Sequence, residues 1–233
     1  MDRAAPDCFP EKPWDHLEII GEGRGFPMII HSEANENASF SPARMIRGKH
    51  MKDIIILPGI GGSGEAHWQT RWERSNPEMR RFQPADWENP DLADWISALE
   101  RAVGALATPP LLVAHSLACL LVAHWQQVSS LAVAGAFLVA VPDPQSASFP
   151  KEAAGFANPP SQKMRFPTLI IASADDPFGT LDHAHARADL WGSGLVAIGP
   201  FGHINGQSGL EDWPQGTDLL TAFSAGLAKS DRA

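Results

Sequence analysis

The chain has 233 residues, 44% hydrophobic and 19% charged, the balance of an ordinary globular protein with room for one domain and a sizeable core. A net charge of −9 argues against a nucleic-acid binder, which carries a basic footprint, and against binding to anionic membrane surfaces. Cys8 and Cys119 build neither a disulfide framework nor a zinc site, no apolar run is long enough to span a membrane, and the N-terminus lacks the apolar segment of a secretory signal, so the expectation is a soluble, cytoplasmic protein.

Residues 1–50 scatter Pro, Gly, Asn and Glu around one short apolar stretch, Phe26–Ile30, with no sustained period. The chain divides there into an N-terminal extension, 1–50, either poorly ordered or folded as an added hairpin, and a domain, 51–233. Ile54–Leu57 is a β-branched run that stops at Pro58-Gly59, as a buried parallel strand does. The Gly-rich loop GIGGSGEAHW follows; residues 65–75 are expected to be helical and Met79–Phe82 a short strand. Leu92, Trp95, Ile96, Leu99, Val103 and Leu106 share one helical face. Asn89-Pro90-Asp91 supplies a cap, a first-turn proline and an acid at the positive helix end.

Leu111–Ala114 reads as a strand and Leu117–Val128 as a helix that is apolar nearly all round. Ala134–Ala140 is a further strand, and residues 141–167, rich in Pro, Ser and Ala, are a loop with a short helix. A strand at Thr168–Ser173, a helix at Leu181–Leu190, a strand at Leu195–Ile198 and a last helix at Asp212–Leu227 complete the pattern. Continuous apolar strands alternating with helices indicate a mostly parallel sheet covered on both faces.

In such a sheet, reactive groups collect in the loops beyond the carboxyl ends of the strands. Those loops carry PGIGGSG, His115-Ser116-Leu117, Asp175-Asp176-Pro177 and GPFGH ending at His203. A serine, an acid pair and a histidine therefore share one edge, in the chain order of the α/β-hydrolase triad. AHSLA stands where the usual nucleophile turn reads G-x-S-x-G; Ala114 and Ala118 each add a methyl group but remain small. A serine hydroxyl needs a neutral imidazole to take its proton, and the imidazole needs a carboxylate to fix its tautomer. Ser116 is the expected nucleophile and His203 the base. Asp176 is the first choice of carboxylate, with Asp175 second and turned outward, because Pro177 restricts Asp176 to extended backbone. The backbone N–H groups of Leu117 and Ile60 are the expected oxyanion donors.

The pieces ILPGIGGSGEAHW, VAHSLAC, ASADDPF and GPFGHIN give residues 53 to about 227 a resemblance to the small α/β-hydrolase-fold serine hydrolases related to retinoblastoma-binding protein nine. The resemblance implies a three-layer α/β/α hydrolase fold and the triad Ser116, Asp176 and His203, and the short insert between the strands at 134–140 and 168–173 leaves minimal or no lid. The chain departs from that family at Ala118, where glycine is common, and the resemblance does not cover residues 1–50. The L-x-C-x-E motif is absent, since Leu117-Ala118-Cys119-Leu120-Leu121 ends in leucine, so binding to pocket proteins is not implied.

Plainer roles stand beside these. Ser116 would also serve as a helix N-cap, His203 as a surface histidine, and the Asp-Pro pair as a turn. His115 is expected to project away from Ser116 and pack; His67 and Trp68 follow the Gly-rich loop as candidates for lining the site, though Trp68 fits the core better. The Gly-rich loop lacks the Lys and Ser/Thr of a phosphate-binding loop, and His183 and His185, two apart, face different ways on a helix, so no metal or organic cofactor is expected. The expected activity is hydrolysis of a small carboxylic ester, less readily an amide, through an acyl-enzyme. The competing reading is a non-enzymatic interaction protein that keeps the fold.

Overall fold

The computed structural model describes residues 18–20 and 53–230. The elements run β1 (Glu18–Ile20), β2 (Ile54–Leu57), α1 (Trp68–Ser75), β3 (Met79–Arg81), α2 (Leu92–Gly104), β4 (Leu111–His115) and α3 (Leu117–Val128). They continue with β5 (Gly135–Val139), a 3-10 turn (Lys151–Phe156), β6 (Thr168–Ala172), α4 (Leu181–Trp191), β7 (Gly194–Ala197) and α5 (Pro214–Ser230).

The strands form one sheet in the order β1-β7-β6-β5-β4-β2-β3. All neighbours are parallel except β1, which runs antiparallel to β7. Successive side chains point to opposite faces, so an unbroken apolar run puts hydrophobic groups on both. Ile55, Leu57, Leu112, Ala114, Leu138 and Ile170 pack on one face, under α2, α3 and α4. Ile54, Ile56, Val113, Phe137, Val139 and Ile171 pack on the other, under α1 and α5. The result is a three-layer α/β/α sandwich. β4 lies near its middle, with Val113 opposite Ile56 on one side and Phe137 on the other. Each fully buried aliphatic side chain there contributes roughly 1.5–3 kcal/mol relative to exposure.

The sequence has eight tryptophans and offers no role for them; three of the described ones tie loops to this core. The indole N–H of Trp72 donates to the Asp212 carbonyl at 2.7 Å, that of Trp95 to Asp86 at 3.1 Å and that of Trp191 to Pro160 at 2.9 Å. An indole buries a large apolar ring and still satisfies a distant carbonyl, which suits a fold with long connections.

Strand and helix positions follow the sequence reading within a few residues, with two differences. Glu18–Ile20 form an edge strand, Ile19 opposite Val196, that a three-residue segment is too short to announce by periodicity. The rest of residues 1–50, including Cys8 and Phe26–Ile30, lies outside the described residues. The cap of α2 also shifts: Asp91 is itself the N-cap, its carboxylate accepting the Asp94 N–H at 2.8 Å, and Pro90 precedes the cap rather than entering the first turn. Asn89 instead donates its side-chain amide to Asp86 at 3.2 Å.

This cap assignment sets an expected outcome for urea unfolding followed by tryptophan fluorescence. Asp91→Ala lowers the unfolding free energy by about 1 kcal/mol, whereas Asn89→Ala costs less than about 0.5 kcal/mol. Equal losses would contradict it.

Candidate active site

Between β4 and α3 the chain reverses in one residue. Ser116 has φ 56° and ψ −125°, a conformation that costs a non-glycine residue on the order of 1–3 kcal/mol. Its N–H is held by the Val139 carbonyl at 2.9 Å, and its carbonyl accepts the Cys119 N–H at 2.9 Å. Ser116 occupies the N-cap position of α3, yet its side chain makes no capping hydrogen bond. The hydroxyl is instead 2.7 Å from Nε2 of His203. The methyl groups of Ala114 and Ala118 are fully buried in the core, so the departure from glycine is accommodated.

His203 lies in the loop after β7. Its Nδ1 is 2.9 Å from both Oδ1 and Oδ2 of Asp176, whose carboxylate is almost fully buried. A carboxylate facing Nδ1 puts the proton there, which leaves Nε2 free to accept the hydrogen bond from Ser116. Asp176 Oδ1 also accepts the Phe178 N–H at 2.9 Å, a short turn around Pro177 that aims the carboxylate. The Phe178 ring packs against His203 with centroids 4.5 Å apart.

Asp175 does not simply turn outward, as its sequence context suggests. Though exposed, its Oδ1 accepts the Ser173 hydroxyl at 2.8 Å and the Gly202 N–H at 2.7 Å, so it fastens the β7 loop that carries His203. The two neighbouring acids thus have separate partners: Asp176 the imidazole, Asp175 the loop backbone.

The Gly-rich loop after β2 closes over the serine. A Cβ on Gly59 would stand 2.9 Å from the Ser116 Cβ, closer than real Cβ contacts, so only glycine permits this approach. The loop is fixed by two residues that the sequence reading leaves out. Buried Gln69 accepts from the Ser63 hydroxyl at 2.7 Å and donates to the Leu57 and Val113 carbonyls at 3.2 and 3.1 Å, satisfying the ends of β2 and β4. Arg81 grips Glu73 through both carboxylate oxygens and donates to the Gly62 carbonyl and to Thr70. Neither is recoverable from local spacing, because their partners lie on other elements. Ile60 and Leu117 both line the cleft beside Ser116. Leu117, the first residue of α3, has an N–H beyond the reach of intrahelical acceptors.

The cleft measures about 850 Å³ and is walled by Ile60, Leu117, Pro142, Phe149 and Phe178 around Ser116 and His203. The residues between β5 and β6 contribute Phe149, Pro150 and Glu152 to one wall and form the single 3-10 turn there, so they make no large cap. The charged side chains of the lining are Glu65, Glu88 and Glu152; among the described lining residues there is no Lys or Arg.

His67 and His115 complete the surroundings. His115 does pack, but toward the site: its ring sits 4.6 Å from His67 and 5.0 Å from His203, centroid to centroid. Trp68 is core, as expected, at 1% exposure. Burial first, then the neighbouring Arg81 and His203 charges, push His67 down to about 3. Burial likewise drives His115 well below the usual histidine range, with His67 and His203 adding to the effect. Both rings are therefore neutral at physiological pH and place no fixed cation beside His203. Burial pushes the Cys119 thiol up, so it behaves as a small hydrophobe behind the serine. Among the described residues, no group of three or more His, Cys, Asp or Glu is arranged to hold a metal ion, and no helix is long and apolar enough to cross a membrane.

The pattern of the family described as Serine hydrolase matches residues 54–222. A solved hydrolase from Pectobacterium atrosepticum, described as YdeN-like, is similar at 32% identity and a TM-score of 0.67, over 75% of this chain and 91% of that one. The ydeN gene product of B. subtilis shares the fold at 22% identity and a TM-score of 0.63, over 75% of this chain and 100% of that one. The type II thioesterase BorB of the borrelidin biosynthetic cluster shares it at 17% identity and a TM-score of 0.53, over 74% and 90% of the two chains. Among curated proteins, none matches. The family pattern runs from β2 into α5 and spans Ser116, Asp176 and His203, and by it this chain, with its α/β-hydrolase fold, belongs to the serine hydrolase family.

Proposed function

We propose that the protein is an esterase that cleaves small carboxylic esters, and amides less readily, through an acyl-enzyme on Ser116. The observation that carries this reading is the hydroxyl of Ser116 at 2.7 Å from His203 Nε2, in a helix-capping position whose capping bond it forgoes. In this reading His203 takes the hydroxyl proton as Ser116 Oγ attacks the ester carbonyl. Asp176 holds the Nδ1–H tautomer and stabilises the imidazolium that forms. The N–H groups of Leu117 and Ile60 receive the negative oxygen of the tetrahedral intermediate, each worth roughly 3 kcal/mol. His203 then protonates the leaving alkoxide, and a water molecule, deprotonated by the same imidazole, releases the acid and restores Ser116.

The cleft narrows the substrate class. Its walls are apolar in large part and its charged lining is acidic, Glu88 and Glu152 together with Glu65, which pairs with Arg74; this favours small, uncharged acyl groups and disfavours anionic ones. We also propose kinship, within the family, to the hydrolases related to retinoblastoma-binding protein nine; the sequence pieces around Gly59, Ser116, Asp176 and His203 support it.

Steady-state kinetics on p-nitrophenyl esters of graded chain length tests these roles. Ser116→Ala lowers kcat by at least about 10³-fold. Asp176→Asn lowers it by about 10³–10⁴-fold and Asp175→Asn by less than about tenfold, since only the first disturbs the imidazole tautomer. Wild-type turnover unaffected by Ser116→Ala would refute the assignment. A second comparison pairs a neutral ester with an equally long one ending in a carboxylate. The anionic ester has the lower kcat/KM at low ionic strength, and the gap narrows as salt is added. Equal values at low salt would refute the acidic-cleft argument.

A further inference from the structure

The backbone of the loop that carries His203 is held in an unusual way. Ile204, the next residue, has φ 47°, in the left-handed region that a β-branched side chain avoids, and it is fully buried. Two consecutive carbonyls flank this strained residue, and each meets the ring nitrogen of a buried side chain from another element. His115 Nε2 is 2.9 Å from the His203 carbonyl, and Trp68 Nε1 donates to the Ile204 carbonyl at 2.8 Å. Because a carbonyl only accepts, His115 carries its proton on Nε2. His115 is 4% exposed and Trp68 1%, so both bonds are shielded from water.

We propose that His115 and Trp68 are positioning residues: their ring N–H groups clamp the His203 and Ile204 carbonyls and thereby hold the His203 imidazole between Ser116 and Asp176. The inference rests on the reading of Ser116 and His203 as nucleophile and base. His115 and Ser116 are adjacent at the end of β4, so one dipeptide both presents the hydroxyl and tethers the backbone of its base. The distance between the two reacting groups is then set from a single rigid strand end, independently of the rest of the β7 loop. On the far side the same loop is tied to β6 by Asp175 at Gly202 and by the Ser173 hydroxyl, which accepts the Phe201 N–H at 2.9 Å. Those bonds place the loop, whereas the His115 and Trp68 bonds bracket the strained residue next to the imidazole. Trp68 is in turn locked by edge-on contacts with Trp72 and Trp213, at 4.6 and 4.9 Å between centroids.

The test uses the full-length protein. His115→Phe and Trp68→Phe keep an aromatic ring and remove the N–H; His115→Gln keeps a donor near the position of Nε2. Kinetics on one p-nitrophenyl ester, melting temperature and the downfield proton resonance of the His203–Asp176 bond are measured for each. The expected result is a fall in kcat of about 10²-fold for His115→Phe, with KM within about twofold of wild type and loss of the downfield resonance. His115→Gln recovers most of the rate and the resonance, and Trp68→Phe shows the same kcat-weighted loss in smaller measure. The clamp is refuted if folded His115→Phe keeps wild-type kcat and resonance, or if folded His115→Gln is as slow as His115→Phe. Should His115→Phe not fold, folded Trp68→Phe with wild-type kcat and resonance refutes it. Failure of the underlying reading looks different: Ser116→Ala then matches wild type, whatever the His115 variants do.

Discussion

Everything at this site depends on the strained backbone of Ser116. The φ of 56° lifts the hydroxyl off the sheet edge, and the chain holds that conformation only because the surroundings leave no other. The serine N–H is bound by β5, the following residues 117–123 are committed to the buried first half of α3, and the Gly59 backbone lies against the serine Cβ. The rigidity of the central strands is therefore the source of the site's geometry, and the loops of β2, β6 and β7 are brought to a point that β4 defines.

The electrostatics follow from the same convergence. One buried carboxylate faces Nδ1 of His203 through both oxygens, and the two other imidazoles nearby are held neutral by burial. An imidazolium forming on His203 would meet the Asp176 carboxylate, with the His67 and His115 rings uncharged beside it. The pair Asp175-Asp176 shows how a two-residue motif divides its work: one acid serves the ring and its neighbour serves the loop that carries the ring.

Much of this is legible in the sequence, and the unread part has a physical cause. Continuous runs such as Ile54–Leu57 and Leu111–Ala114 announce buried parallel strands, because an element covered on both faces has no polar side to show. The chain order of Ser116, Asp176 and His203, after β4, β6 and β7, marks them as neighbours in space, and in the structure they are joined by hydrogen bonds. The two acids at 175 and 176 are indistinguishable by composition, and only their partners separate them. His115, Trp68, Gln69 and Arg81 escape a sequence reading for a common reason: each binds a backbone carbonyl on another element, and a carbonyl leaves no signature in the sequence. The α2 cap falls at Asp91, two residues beyond Asn89, because the two are equally good capping types and Asp86 takes Asn89 for itself.

The most direct measurement is active-site labelling with a fluorophosphonate, followed by peptide mapping of the folded protein. The account predicts a single stoichiometric adduct on Ser116 Oγ, blocked by prior incubation with an ester substrate. A folded protein that takes up no label, or takes it up on another residue, would contradict it.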